Sequence, residues 1–187
     1  MRKLWKEKGD LLLNTRSGAK ESLIEFIHSD EKVVLITGTH QYEKHPLALS
    51  VIKEHAKSSK VLFRTNSTQM LSSHFESKNL KLSTFYKLDE NKLCFDTINR
   101  RTWGNASWEF DYSVLYPLDS VCKAKNKEEI LLDLINRTKK KVFLASWTDG
   151  YNYSWLHGHI DRHIVYDAEE EDTEYHERVL NIIQGRF

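Results

Sequence analysis

A glycine and a lysine stand six residues apart, between an apolar run and a helix-like pattern. Gly38 follows "VVLIT" (33–37), and Lys44 directly precedes "HPLALSVIKEH". The N–H groups of such a loop, a helix N-terminus and a lysine together suit phosphate, because all three present positive charge to one anion. We expect a remnant anion site, with a nucleotide or phosphate as its ligand, formed by Gly38, Thr39, His40, Lys44 and His45.

A second group combines histidines with a carboxylate in "HGHIDRH", residues 157–163. On a strand, alternate residues share one face, so these side chains could bind zinc or another divalent metal. The stretch resembles the H-x-H-x-D-H motif of the metallo-β-lactamase family, with one extra residue before the last histidine. This alternative is a metal-dependent phosphoester hydrolase or nuclease that uses His157, His159, Asp161, His163 and Asp167. We favour the other interpretation, a polar edge or loop with ordinary histidines.

Tryptophan and arginine are concentrated in two polar segments, "RRTWGNASWEF" (100–110) and "SWTDGYNYSW" (146–155). Exposed tryptophan and arginine anchor protein interfaces, and aromatic rings with arginine also stack on single-stranded bases. The alternative is that these rings cap the sheet and pack under a neighbouring hairpin. If the rings are exposed, a protein partner is favoured over nucleic acid. The candidate partner surface comprises Arg100, Arg101, Trp103, Trp108, Trp147 and Trp155.

The elements that must position these residues alternate between buried strands and helices. Continuous apolar runs are typical of strands buried on both faces, as in "KVVLITG", "KVLFRTN", "EFDYSVLYP" and "KVFLAS". Amphipathic patterns predict helices in "PLALSVIKEHAK" and "NKEEILLDLINRTKK". Two aromatic-rich alternating runs around "DEN" (89–91) predict a β-hairpin. The sequence therefore predicts a three-layer α/β/α fold whose mostly parallel sheet carries a β-hairpin insertion.

Ligands of such sheets bind at the carboxyl ends of the strands, where the connecting loops meet. The segments expected at that edge are 38–45, 64–67, 117–120, 146–150 and the chain from Asp167 onward. We expect one domain over residues 1–187, with 1–16 as an N-terminal extension and 80–110 as the hairpin and loop insertion.

The stretch Gly38–His45 resembles the phosphate-binding loop of P-loop NTPases, which reads G-x-x-x-x-G-K-[ST]. It keeps the first glycine, the loop length and the lysine. The stretch "FDYSVLYPLDS" stands where the second acidic motif would be, and "KVFLASWTDG" stands where a strand ending in a polar sensor residue would be. The resemblance implies a degenerate P-loop-like domain with a nucleotide site at this loop.

Three departures from the P-loop pattern argue against ordinary ATP hydrolysis. Glu43 replaces the second glycine and would repel a phosphate. His45 replaces the serine or threonine, and histidine is a poor magnesium ligand. Tyr116-Pro117 occupies the place of the acidic motif's aspartate, and Asp119 is displaced. We therefore expect a non-hydrolysing binding or regulatory module, with the metal-dependent hydrolase or nuclease as the alternative.

Composition indicates where such a protein works. The formal net charge of +1 provides no overall attraction to nucleic acid or membranes. Cys94 and Cys122 lack disulfide or metal-site spacing, which favours free thiols in a reducing compartment. The apolar run Leu11–Leu13 is too short for a signal or a membrane span. We expect a cytoplasmic protein without a membrane partner.

Overall fold

The computed structural model describes residues 14–75, 77, 79–104 and 108–185. Within these residues seven strands form one sheet, in the order β3-β4-β2-β5-β6-β1-β7. Neighbouring strands are parallel except for the antiparallel pair β3 and β4. The strands are β1 (Val33–Thr37), β2 (Lys60–Thr65), β3 (Phe85–Leu88), β4 (Asn91–Thr97), β5 (Phe110–Leu115), β6 (Thr138–Ala145) and β7 (Arg162–Val165).

Helices cover both faces of the sheet, which confirms the predicted three-layer α/β fold. None of the described helices combines the length and apolar character needed to cross a bilayer. The helices are α1 (Arg16–His28), α2 (Lys44–His55), α3 (Thr68–Phe75), α4 (Leu118–Cys122), α5 (Lys127–Arg137) and α6 (Thr173–Ile183).

The apolar runs form central strands because they have two hydrophobic layers to fill. In β1, Val34 and Ile36 enter the core under α1, α2 and α3. Val33 and Leu35 point the other way, into the core under α4 and α5. A strand buried on both faces favours apolar residues on both sides, and that preference explains the apolar stretches of β1, β2, β5 and β6. Buried polar residues on these strands, such as Arg64 and Ser113, have partners within the chain.

The predicted hairpin is present, and one of its strands belongs to the main sheet. β3 pairs with β4 in antiparallel fashion, from Phe85 opposite Cys94 to Leu88 opposite Asn91. β4 pairs in parallel with β2, so the segment 80–110 supplies an internal strand. The predicted N-terminal extension, residues 1–16, lies mostly outside the described residues, and its last residue, Arg16, begins α1.

Candidate functional site

The loop between β1 and α2 carries the predicted anion site, and its lysine is completely buried. Lys44 Nζ donates hydrogen bonds to the carbonyl oxygens of Gly38 at 2.5 Å and of Trp147 at 3.3 Å. Its side chain has 0% exposure. Burial lowers the pKa of the Lys44 ammonium to about 8, and Asp149, Asp119 and Asp167 oppose that shift. The Lys44 ammonium therefore donates to the backbone of its own chain and faces carboxylates of its own chain.

Two of those carboxylates accept the N–H groups that a phosphate would need. The Gly38 amide donates to Asp149 Oδ2 at 2.6 Å, and the Thr39 amide donates to Asp167 Oδ1 at 2.8 Å. Burial raises the pKa of Asp149, and the Lys44 ammonium opposes the shift. The loop thus has the donor groups of an anion site, and aspartate side chains already occupy them.

The next two amides of the loop are also engaged. The His40 amide donates to the carbonyl of Tyr166 at 3.3 Å, and the Gln41 amide donates to Tyr175 Oη at 3.4 Å. Gly38 has φ +119°, and a Cβ atom there would lie 2.0 Å from the carbonyl oxygen of Tyr166. Glycine is therefore required where the loop passes the end of β7.

A third aspartate holds the loop after β6. Asp119 accepts hydrogen bonds from the amides of Trp147 and Thr148, at 2.5 and 2.9 Å. The Thr148 hydroxyl donates to the same carboxylate at 2.8 Å. Asp119, Asp149 and Asp167 follow β5, β6 and β7, so the carboxyl edge does bring these loops together around Lys44. The rule that ligands bind at the carboxyl edge identified the loops that meet here. It did not predict that their aspartates would accept the backbone amides of neighbouring loops.

The predicted anion site therefore does not have the arrangement of an open phosphate-binding loop, which we call a cradle. A cradle needs free N–H groups and an accessible cation, whereas here both are bound within the chain. The His40 side chain contacts the β7–α6 connection, where its Nε2 lies 3.1 Å from Glu171 Oε2. Its ring packs against Tyr166, with centroids 4.8 Å apart.

Thr39 and His176 form a hydroxyl–imidazole pair of the kind that activates nucleophiles. Thr39 Oγ1 lies 2.6 Å from His176 Nδ1 and accepts the Ala168 amide at 3.0 Å. Thr39 is 2% exposed, so a substrate has no access to its hydroxyl. The pair is better explained as a tie between the β1 loop and the β7–α6 connection.

His45 packs in an aromatic cluster behind the loop. Its ring stacks on Tyr116, with centroids 4.1 Å apart and planes 23° apart. Phe63 and His74 contact the same ring edge-on. Neither ring nitrogen of His45 has a hydrogen-bond partner among the described residues. Burial, followed by the nearby His74, lowers the pKa of His45 to about 3.

Replacing His45 by phenylalanine should leave stability at pH 7 unchanged or raised, because an unpaired buried polar group is replaced by an apolar ring of similar shape. In the wild type, the unfolded chain binds a proton on His45 below about pH 6.5, whereas the folded chain resists it down to about pH 3. Protonation of His45 therefore costs no stability above about pH 6.5. As the pH falls from about 6.5 towards about 3, the free energy of unfolding decreases by up to about 1.4 kcal/mol per pH unit.

Urea unfolding between pH 7 and pH 4 measures this dependence. The His45→Phe protein should lose less stability on acidification than the wild type. Equal losses in the two proteins would show that His45 is not a buried neutral histidine.

The histidine-rich segment does not form the alternative metal site. Asp161 Oδ2 accepts the amides of Lys32 and Val33 at 2.8 Å each, at the start of β1. His163 Nε2 lies 2.8 Å from Thr37 Oγ1 on the neighbouring strand. His157 and His159 precede β7 in a turn, so strand alternation does not align them. Asp167 binds the Thr39 amide, and no group of three or more metal-ligand side chains occurs in the described part of the chain.

The predicted tryptophan and arginine surface is divided among several environments. Trp103 is 7% exposed and belongs to the core, where the Arg64 guanidinium lies 4.6 Å from its ring centroid. Trp155 is half-buried under Lys127, whose Nζ lies 5.1 Å from the ring centroid. Arg100 and Arg101 are exposed on a short 3-10 turn after β4, and Arg100 pairs with Glu129.

Trp108 lies at the opposite edge of the sheet from Trp147. It is half-buried and lines an open cavity of about 250 Å³ with Phe85, Lys60 and Lys139. The partner surface predicted from sequence is therefore corrected. Trp103 is buried, and the remaining residues do not form one patch.

An exposed aromatic pair lies at the β1–α2 loop instead. We call residues 38–44 the closed loop, because the amides of Gly38 and Thr39 and the Lys44 ammonium are bound within the chain. Tyr42 is 59% exposed and Trp147 is 41% exposed, with ring centroids 6.4 Å apart. Tyr42 belongs to the β1–α2 loop and Trp147 follows β6, so both lie at the carboxyl edge. Sequence reasoning missed Tyr42, although it stands in the loop between Gly38 and Lys44. An aromatic residue in a loop at the carboxyl edge was the available signal.

Comparisons with known proteins assign no family. No protein-family description matches the sequence, and no curated protein matches it. Among solved structures, the chain is similar to the C-terminal domain of a possible DNA helicase from Lactobacillus plantarum WCFS1. The match has 8% sequence identity and a TM-score of 0.45, and covers 71% of this chain and 86% of that one. A likeness at this level supports no inference about activity or ligand.

Proposed function

We propose that this chain is a non-hydrolysing α/β binding module, P-loop-like in its loop, whose phosphate position is filled by its own aspartates and whose partner is a protein. One observation carries the proposal. The amides of Gly38 and Thr39 donate to the Asp149 and Asp167 carboxylates, while Lys44 is buried among the same acids. An incoming phosphate would have to displace two carboxylates that already accept these amides and face the Lys44 ammonium.

Magnesium chemistry at this loop is also disfavoured. Magnesium prefers hard oxygen ligands. His45, at the position of the P-loop hydroxyl, lies in the aromatic cluster with Tyr116. Asp119, the displaced acid, is used by the amides of Trp147 and Thr148. The loop therefore lacks the side chains that would hold a nucleotide-bound metal, and hydrolysis is not expected.

The binding role rests on the aromatic pair Tyr42 and Trp147 beside the closed loop. Trp and Tyr dominate the energetics of protein interfaces when they are exposed in the free protein and buried on binding. The carboxyl edge of a parallel sheet is also where α/β domains present their ligand-binding loops.

The test is a titration of the purified protein with ATP, GTP and phosphate, with and without magnesium, followed by thermal unfolding and by phosphate release. We expect no shift of the melting temperature and no hydrolysis. A ligand present at about 100 times its Kd would stabilise the protein by about 2.7 kcal/mol, which is readily detected. Such a shift with any of these ligands would contradict the closed loop.

A further inference from the structure

We infer that the aromatic pair Tyr42–Trp147 binds a cationic segment, rich in arginine or lysine, of a partner protein. This inference rests on the proposed binding function and specifies its partner. The two rings are tilted by 59° and are both exposed to solvent, Tyr42 more than Trp147, so a side chain can pack against them. Indole is the aromatic ring with the strongest attraction for a cation over its face.

The surroundings of the pair are acidic. The connection from the end of β7 into α6, residues 166–174, contains six acidic side chains and no lysine or arginine. All of these acids except Asp167 are exposed. We call them the acidic segment: Glu169, Glu170, Glu171, Asp172 and Glu174.

The acidic segment is tied directly to the loop that carries Tyr42. His40 lies 3.1 Å from Glu171, and Tyr175 Oη lies 2.9 Å from Gln41 Oε1. The three aspartates beneath the rings face the single ammonium of Lys44. Two arginines also lie nearby, since Arg16 pairs with Glu43 and Arg178 lies over the Tyr175 ring. The acidic segment and the three aspartates outnumber these two arginines and Lys44 around the loop that carries Tyr42.

This charge selects among possible partners. A nucleic acid or a nucleotide carries negative charge and would be repelled. A purely apolar segment would contact the rings but would make no use of the exposed carboxylates of the acidic segment. An arginine or lysine segment satisfies both features, because its cations stack on Trp147 and pair with the acidic segment.

Fluorescence anisotropy with three labelled probes tests the inference. The probes are a short arginine-rich peptide, the same peptide with citrulline in place of arginine, and single-stranded oligothymidine. We expect the arginine peptide alone to bind, with an affinity that falls as salt is raised. Trp147→Ala should weaken it by about 3- to 10-fold, the range of a cation–π contact.

The chain offers matched controls. Phe85 is 40% exposed, nearly equal to Trp147, and lies on the edge strand β3. Phe85→Ala should leave affinity for the arginine peptide unchanged. Glu170→Lys should weaken binding, whereas Glu90→Lys, exposed in the hairpin turn, should have a smaller effect. Thermal unfolding of each variant shows that it is folded.

Several results would overturn the inference. These are failure of the arginine peptide to bind, equal binding of the citrulline peptide, binding of oligothymidine, or equal losses in the Trp147 and Phe85 variants. A dimer in sedimentation that Trp147→Ala dissociates would also overturn it, because a second copy would then occupy the surface. None of these outcomes bears on the closed loop, which the nucleotide titration tests separately.

Discussion

Replacing Arg64 by methionine is expected to lower the free energy of unfolding by about 3–5 kcal/mol. Arg64 is 0% exposed and makes a bidentate pair with Asp96, at 2.8 and 2.7 Å. It also donates to Asp133 at 2.7 Å and to the carbonyl of Ile130 at 3.1 Å. Methionine fills a similar volume but leaves Asp96, which is 3% exposed, without its cation.

Urea unfolding at neutral and acidic pH tests this expectation. Burial already holds the pKa of Asp96 above its ordinary value, and Arg64 opposes that shift. Without Arg64, the folded state should bind a proton on Asp96 more readily than the unfolded chain. The loss caused by Arg64→Met should therefore shrink as the pH falls.

Two further variants serve as controls for Arg64→Met. Arg100 pairs with Glu129 on the surface, and its side chain is 76% exposed. Arg100→Met should change stability by at most about 1 kcal/mol. The double variant Arg64→Met with Asp96→Leu should recover much of the loss, because no unpaired charge stays buried. A cost for Arg64→Met no larger than for Arg100→Met would contradict the buried network.

Replacing Lys44 by methionine is expected to cost about 1–3 kcal/mol in the absence of any ligand, because buried carbonyl groups lose their donor. The change removes the donor to the carbonyls of Gly38 and Trp147, and it removes the cation that faces Asp149. A lysine reserved for phosphate would behave differently. Its loss would abolish ligand binding and leave the free protein as stable as before.

The matched control for Lys44→Met lies on the same helix. Lys53 is exposed in the last turn of α2, and Lys53→Met should change stability by less than about 0.5 kcal/mol. A double-mutant cycle of Lys44→Met with Asp149→Asn should show a clear interaction energy between the two residues. Equal melting temperatures for Lys44→Met and Lys53→Met would contradict a structural role for Lys44.

The fold was predictable because its signals are local. The apolar runs of β1, β2, β5 and β6 and the amphipathic pattern of α5 each lie within one short stretch of sequence. The pairing of β4 with β2 was not predictable in this way. It depends on which strands lie side by side, and a hairpin pattern specifies only the contact between β3 and β4.

The sequence indicated where the candidate site lies, but not which groups its amides and lysine contact. The spacing from Gly38 to Lys44 predicts a loop that binds an anion, and in the structure two amides of this loop donate to carboxylates of the same chain. The anions are Asp149 and Asp167, which arrive from the far end of the chain. The burial of Trp103 could not be predicted locally for the same reason. Arg64 packs over its ring and Arg137 donates to its carbonyl, and both arginines come from other elements. Long-range pairing, absent from any local pattern, decides both cases.

Hydrogen exchange of the Gly38 and Thr39 amides, measured by NMR without any ligand, tests the closed loop most directly. Both N–H groups are buried and bound to carboxylates, so we expect protection comparable to that of the β1 core amides. Addition of ATP and magnesium should not change it. Exchange as fast as in an unstructured peptide, with protection gained only on addition of ATP, would show that the loop is open and waits for phosphate.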